Sequence, residues 1–215
     1  MARVALIHAL AHSVAPVADA FERLWPQAQR MNLLDDSLSA DLARTHGGLD
    51  ERMTQRFLAL AGYALGTGAR GILFTCSAFG PCIDAVKRRW PDVPVLKPNE
   101  AMIGEAVALG RRIGLVASFA PTLASMPAEF PAGVELQPVL AEGALDALNA
   151  GDPATHDRLV AEAAASIAAS CDVVALAQFS LARAAPAVAA IAGLPVLVTP
   201  DSAVRALRMR IEGHK

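Results

Sequence analysis

The sequence of 215 residues has few aromatic and few charged residues. Phe, Trp and Tyr make up 5%, charged residues make up 19%, and 54% of the chain is hydrophobic. It also lacks a long apolar run. The longest uncharged stretch, Ala184 to Pro200, is shorter than the roughly 18 to 20 residues of a membrane-spanning helix, and Pro and Gly interrupt it. We therefore expect no membrane partner. Low charge with high apolar content also excludes intrinsic disorder.

An excess of charge of one sign is missing too, because 19 Lys and Arg stand against 21 Asp and Glu. With no basic stripe, no nucleic-acid partner is expected. Three cysteines, an odd number without a Cys-x-x-Cys pair, favour neither a disulfide framework nor a zinc site. The short apolar run Met1–Leu10 is more typical of a first strand than of a signal peptide, which makes the cytoplasm the expected location.

Short β-rich segments alternate with longer segments of helical periodicity, such as the one from Met53 to Leu65. Continuously apolar strands are typical of parallel sheets covered on both faces, so the predicted fold class is α/β. The predicted strands are Arg3–His8, Arg30–Leu34, Gly71–Thr75, Val93–Lys97, Ile113–Ala117, Val134–Val139, Val173–Ala177 and Pro195–Val198.

The two halves of the sequence repeat each other in the same order. Arg3–Ile7 matches Arg112–Val116, and residues 50–76 align without gaps on residues 152–178. The shared order predicts two pseudosymmetric, doubly wound lobes, each with a four-stranded parallel sheet.

The first predicted lobe spans residues 1–98, with a C-terminal helix at 200–215 packing back on it, and the second spans 99–199. Ligands bind beyond the carboxyl ends of strands in open parallel sheets. Two lobes related by a pseudo-twofold axis would face those ends toward one shared cleft. Residues that directly follow a strand are therefore the candidates for function.

Cys76 is the first such candidate. It follows a predicted strand and precedes Ser77-Ala78-Phe79-Gly80, which should open a helix. Free backbone N–H groups and the positive end of a helix favour a thiolate, and the same donors bind a carboxylate. The alternative is a buried structural cysteine, the usual environment of a free Cys. We predict that Cys76 alkylates faster than Cys82 and Cys171, which are interpreted as core residues.

The segment Phe74-Thr75-Cys76-Ser77-Ala78, in a duplicated chain, resembles the first cysteine motif of the aspartate/glutamate racemase superfamily. That superfamily includes hydantoin racemases, maleate isomerases and arylmalonate decarboxylases, and the resemblance spans nearly the whole chain. It implies that Cys76 is the acid/base or nucleophile and that Thr75 and Ser77 bind the carboxylate of a small substrate. A homodimer is consistent with the resemblance.

The sequence departs from this family at two positions. Ala177-Gln178-Phe179-Ser180 stands where the family has its second cysteine, and an amide does not exchange a proton as a thiol does. His8 stands in place of the family's acidic residue after the first strand, where it could assist the thiol of Cys76. The alternatives are a structural histidine and, for the whole protein, a catalytically silent carboxylate-binding protein.

Three reactions remain compatible with one thiol: decarboxylation with Cys76 as proton donor, cis–trans isomerisation by thiolate addition, and racemisation with water or Ser180 at the second face. None requires a metal or an organic cofactor, so none is predicted. We predict a racemase- or isomerase-like enzyme that acts on a small carboxylic or amino acid at the inter-lobe cleft.

Further candidates for substrate binding follow other strands. Neutral donors suited to a carboxylate or an enolate oxygen are present at these positions. Asp35, next to Asp36, is either an acid/base or ammonium-binding carboxylate or part of a helix-capping loop. His12, His156 and His214 are interpreted as solvated, and His46-Gly47-Gly48 as a flexible turn. The predicted substrate-binding set is Thr75, Ser77, Ser118, Thr122, Gln178, Ser180, Asp35 and Asn99.

Overall fold

A computed structural model describes residues 1–45 and 48–213 of the chain. His46 and Gly47 of the predicted turn and the last two residues of the predicted C-terminal helix lie outside the described residues. In the part that is described, no helix is long and apolar enough to cross a membrane.

Strands and helices alternate along the chain, as the sequence predicts. All eight predicted strands are present, most of them with an end shifted by one or two residues. The strands are β1 Arg3–His8, β2 Gln29–Leu34, β3 Ile72–Phe74, β4 Val95–Leu96, β5 Arg112–Ala117, β6 Glu135–Leu140, β7 Val173–Leu176 and β8 Val196–Val198. The α-helices are α1 Val14–Leu24, α2 Ser37–Arg44, α3 Glu51–Gly66, α4 Gly80–Arg89, α5 Glu100–Leu109, α6 Ala120–Ser125, α7 Ala144–Asn149, α8 Pro153–Ala168, α9 Ala185–Ala192 and α10 Thr199–Glu212.

The strands form two parallel four-stranded sheets, with the orders β2-β1-β3-β4 and β6-β5-β7-β8. The predicted fold class, a doubly wound α/β chain, is confirmed. In each sheet the chain adds β2 or β6 on one side of the first strand and β3 or β7 on the other. The switch points therefore lie at the carboxyl ends of β1 and β3 and of β5 and β7, where open α/β sheets bind ligands.

The chain divides into two compact units. The first comprises Met1–Pro98 and the chain from Ala203 onward, and the second comprises Asn99–Ser202. Most of α10 thus belongs to the first unit. There the indole N–H of Trp25 donates to Glu212 at 3.1 Å. Gly71, just before β3, leaves the room for this helix, because a Cβ at Gly71 would lie 2.6 Å from Cδ1 of Ile211.

The repeat predicted from the sequence has a structural counterpart in α3 and α8. Each helix has 16 residues, and α8 begins and ends 102 residues after α3. Each begins after an aspartate whose carboxylate accepts a backbone N–H three residues on, Asp50 from Met53 and Asp152 from Thr155. Such caps satisfy N–H groups that have no partner inside the helix.

The core of the first unit is built on the apolar face between its sheet and α3. Phe57 of α3 stacks on Phe74 of β3 at a centroid distance of 5.2 Å and contacts Phe79 at 4.9 Å. All three rings are buried. Phe57 and Phe74 also line the hollow that borders Cys76, which is described next.

Candidate functional site

Cys76 lies at the switch point of the first unit. β3 ends at Phe74, and Cys76 follows two residues later with an extended backbone. A 3₁₀ turn, Ser77–Phe79, comes before α4, which begins at Gly80. The predicted arrangement of strand, turn and helix is therefore present, with a tighter turn before the helix than expected.

The half-buried thiol of Cys76 faces apolar walls. It borders a narrow hollow with no room for a water molecule, lined also by Ile7, His8, Ala9, Leu38, Phe57 and Phe74. Burial raises the pKa of the Cys76 thiol above its ordinary value of 9.0, and the Ala78 N–H that bonds to the sulfur lowers the pKa by less. The prediction of a thiolate-favouring environment is therefore wrong, because burial outweighs the backbone donor. The thiol is protonated at neutral pH.

His8, at the end of β1, is fully buried in a network of neutral polar groups. Its Nδ1 lies 2.9 Å from the hydroxyl of Ser13 and 3.0 Å from that of Thr75, and its Nε2 lies 3.1 Å from the side-chain oxygen of Asn32. Burial lowers the pKa of His8, and the hydrogen bond to Asn32 raises it by less. The imidazole is therefore neutral at pH 7, with Nε2–H as the donor to Asn32 and Nδ1 as an acceptor.

The hydrogen bonds of His8 bear on the predicted roles of His8, as a group that assists the thiol, and of Thr75, as a carboxylate ligand. In the described part of the chain, the hydrogen bonds of the His8 ring go to Ser13, Thr75 and Asn32 and not to Cys76, although His8 and Cys76 line the same hollow. Thr75 is itself buried, and its hydroxyl lies 2.8 Å from Ser13. That argues against Thr75 as a free donor to a carboxylate. Ser77 is half-buried beside Cys76, and its role as a neutral donor stays a prediction.

Gln178 takes the corresponding place in the second unit. It follows β7, has an extended backbone and precedes a 3₁₀ turn, Phe179–Ala184. Its side-chain oxygen accepts from the N–H of Ser118 at 2.6 Å and from the hydroxyl of Ser118 at 3.1 Å. Two donors on one oxygen fix the orientation of the amide and direct its NH₂ group away from Ser118. Gln178 thus offers hydrogen-bond donors but no proton-transfer group.

The other predicted residues of the second unit differ in exposure. Ser180 is half-buried in the turn after Gln178, whereas Thr122 is buried in α6. Asn99 is also buried, and its side-chain oxygen accepts from the hydroxyl of Thr199 at 3.2 Å. The burial of Asn99 argues against its predicted contact with substrate, because its side chain is used inside the unit.

Asp35 follows β2 in the first unit, and its carboxylate has partners already. One oxygen accepts from Arg56 at 2.7 Å, and the other accepts from Ser37 at 2.5 Å. Burial alone would raise the pKa of Asp35, but the hydrogen bonds from Ser37 and Arg56 and the charge of Arg56 together lower it. This pairing argues against Asp35 as an acid/base or ammonium-binding group, and it favours the structural alternative.

The structure also gives structural roles to two polar residues, Arg56 and His156, that the sequence did not predict. Arg56 joins Asp35 to α2 through a second bond of 2.7 Å to Asp41. His156 of α8 was predicted to be solvated, which is wrong, because it is fully buried and its Nδ1 lies 2.8 Å from Asp157. Among residues 1–45 and 48–213, no group of three or more His, Cys, Asp or Glu is placed to hold a metal ion.

Solved structures with the same fold are racemases and a decarboxylase. Allantoin racemase from Klebsiella pneumoniae has a TM-score of 0.72 at 15% identity, covering 100% of this chain and 89% of its own. Glutamate racemase from Francisella tularensis, in complex with D-glutamate, has a TM-score of 0.71 at 13% identity, covering 99% and 82%. A glycine-to-cysteine mutant of arylmalonate decarboxylase has a TM-score of 0.68 at 19% identity, covering 99% and 94%. The chain thus shares the fold of these solved structures.

The model of the Asp/Glu/Hydantoin racemase family matches residues 14–207, and the chain belongs to this family. Membership supports a racemase- or isomerase-like function. No sequence among the curated proteins matches this chain.

Proposed function

We propose that the protein is a cofactor-independent enzyme that acts on a small carboxylic or amino acid by proton transfer at Cys76. The observation that carries the proposal is the position of this thiol, at the carboxyl end of β3 and at the switch point of the first sheet. Its side chain is half-buried, whereas Cys82 and Cys171 are buried.

In a racemase-type reaction, a base removes the proton from the carbon next to the carboxylate and leaves an enolate. A second group then returns a proton to the opposite face. Cys76 serves as the base in its thiolate form or as the proton donor in its thiol form, and Ser77 donates a hydrogen bond to the carboxylate or enolate oxygen. Because Gln178 is an amide, water or Ser180 supplies the opposite face in this proposal.

Decarboxylation is a second candidate, favoured by two observations. The raised pKa of the Cys76 thiol keeps its proton in place at rest, and Gln178 is a donor without acid/base capacity. The bond from the α-carbon to one carboxylate breaks and CO₂ leaves. The electron pair of that bond stays on the α-carbon and is delocalised as the enolate. Cys76 gives its proton to that carbon, and solvent returns a proton to the sulfur. This route needs one thiol and no prior deprotonation.

The raised pKa makes thiolate addition to a double bond the least favoured of the three predicted reactions, since it requires the minor thiolate form. A catalytically silent carboxylate-binding protein is the alternative outside enzymology. In that case the thiol would not matter for binding.

These possibilities are separated by incubating the protein in D₂O with amino acids, aryl-substituted malonates and maleate. Deuterium at the α-carbon with inversion supports racemisation, release of CO₂ supports decarboxylation, and fumarate supports isomerisation. We expect Cys76→Ala to lower turnover by about 10²- to 10⁴-fold, the usual effect of losing a positioned acid/base group.

Cys82→Ala is the matched control, because Cys82 lies six residues away and is buried in α4. It should leave turnover nearly unchanged. The enzyme proposal fails if no compound reacts, carboxylates still bind, and Cys76→Ala binds them equally well.

A further inference from the structure

We infer that Arg56 is a positioning residue that holds α2 over the thiol of Cys76 and so limits access to it. The measurement of access does not depend on the proposed reaction. The consequence for catalysis rests on the proposed function, since an enolate is protected where water is excluded.

Arg56 bonds to three side chains on the segment that enters α2. Its Nη2 donates to the carboxylate of Asp35 at 2.7 Å and to the hydroxyl of Ser37 at 2.5 Å, and its Nη1 donates to Asp41 at 2.7 Å. The planar guanidinium presents donors in a fixed fork, so one side chain fixes both the loop after β2 and the helix itself. The bonds also join α2 to α3, the helix that carries Arg56.

The segment held in this way carries a wall of the hollow. Leu38, one residue after Ser37, is fully buried and lines the hollow together with Cys76. The next residue, Ser39, donates its hydroxyl to the carbonyl of Ala9, another lining residue, at 3.0 Å. Phe57, the neighbour of Arg56 in α3, also lines the hollow. The hollow has no room for a water molecule in this arrangement, so an outward movement of α2 would widen the access of solvent and ligands to Cys76.

The repeat supplies an internal comparison for this arginine. Arg158 occupies the position of Arg56 in the second unit, 102 residues later, at the corresponding place in α8. Its ion pair is with Glu162 on its own helix, at 2.7 Å, and both side chains are more than half exposed. Arg56 therefore joins α3 to the preceding helix α2 in the unit that contains Cys76, whereas the ion pair of Arg158 with Glu162 lies within α8.

Access is measured as the rate at which iodoacetamide alkylates each of the three cysteines, resolved by mass spectrometry of peptides from the full chain. In Arg56→Ala we expect Cys76 to react roughly tenfold faster, because local opening of α2 becomes more populated. Cys82 and Cys171 should keep their rates and act as internal reporters of global unfolding. Arg56→Lys keeps the charge without the fork and should give an intermediate rate.

Arg158→Ala is the matched control and should leave the Cys76 rate unchanged. If Arg56→Ala does not fold, Asp41→Ala removes the bond from Arg56 to Asp41, together with the exposed pair of Asp41 with Arg44, and should raise the Cys76 rate by a smaller factor, about threefold. The inference is overturned if the Cys76 rate is unchanged in these variants or if all three cysteines accelerate together. Turnover in Cys76→Ala is measured separately. Failure of the proposed reaction can therefore be distinguished from failure of the inference that Arg56 holds α2 over Cys76.

Discussion

The two units have the same backbone plan and different chemistry at the same place. Both sheets follow one strand order, and Cys76 and Gln178 both have extended backbones before a 3₁₀ turn. In the first unit a protonated thiol faces apolar walls. In the second an amide is held by Ser118. The repeat therefore determines where a functional side chain is placed, and the residue at that place decides what it can do.

A second difference lies at the opposite, amino-terminal ends of the strands. In the second unit Arg112 at the start of β5 bonds to Asp172 just before β7, at 2.5 Å. The positions that correspond in the first unit are Arg3 and Arg70, two residues of like charge. Arg3 bonds instead to the carbonyl of Thr67. The units thus differ in charge pairing at one end and in proton chemistry at the other.

The largest expected effect concerns the cores and compares Phe57→Ala with Leu159→Ala at the corresponding position. Phe57 is 2% exposed and contacts two other rings, so its truncation should cost about 3 to 5 kcal/mol. Leu159 is only partly buried and should cost less, about 1 to 2 kcal/mol. Urea unfolding followed by circular dichroism measures both free energies, and equal losses would contradict this difference.

Tryptophan fluorescence adds a local readout to that experiment. Both tryptophans, Trp25 and Trp90, belong to the first unit. Phe57→Ala should therefore shift the fluorescence transition more than Leu159→Ala does.

The next largest effect is expected for Gln178→Cys, a substitution that places a cysteine after β7 as there is after β3. Gln178→Cys restores a group that can exchange a proton, so inversion relative to α-deuterium exchange should rise by roughly tenfold or more with any substrate that exchanges. Gln178→Ala is the control and should leave that ratio unchanged, although binding should weaken through loss of a donor. An unaltered ratio in Gln178→Cys would show that the second unit does not take part in proton transfer.

The smallest effect concerns acid stability and the Arg112–Asp172 pair. Hydrogen bonds from Arg112, its charge and the backbone N–H of Arg111 lower the pKa of Asp172 from 3.8 to about 2. A carboxylate with a depressed pKa stabilises the fold fully above about pH 4, and this contribution is lost as the pH falls through 2. Asp172→Asn should flatten the pH dependence of the urea midpoint in this range. A slope identical to that of the parent protein would contradict the assignment.

The strands and the repeat were predictable because their signals are local. Apolar runs such as Arg3–His8 identify a strand without knowledge of its neighbours, and the observed β1 has these same ends. The ionisation of Cys76 was not predictable from its own surroundings in the sequence. The backbone donors are adjacent to it, but residues that line its hollow, such as Leu38 and Phe57, come from distant segments, and burial decides the direction of the pKa shift.

The same distinction separates Asp35 from His156. Asp35 was ambiguous because its partner Arg56 is 21 residues away, a pairing visible only in the folded chain. For His156 a local signal did exist. His156, Val160 and Ala164 are spaced four residues apart, which puts them on one face of a helix, and all three are buried. Helical periodicity would have placed His156 inside.

The segment between β2 and α3, which contains α2, is longer than the corresponding segment between β6 and α8. Sixteen residues separate Leu34 from Glu51, and 12 separate Leu140 from Pro153 in the second unit. The difference of four residues is about one helical turn. A single insertion or deletion event of that size can therefore change the helical segment beside the switch point in one copy, with every strand of both sheets retained.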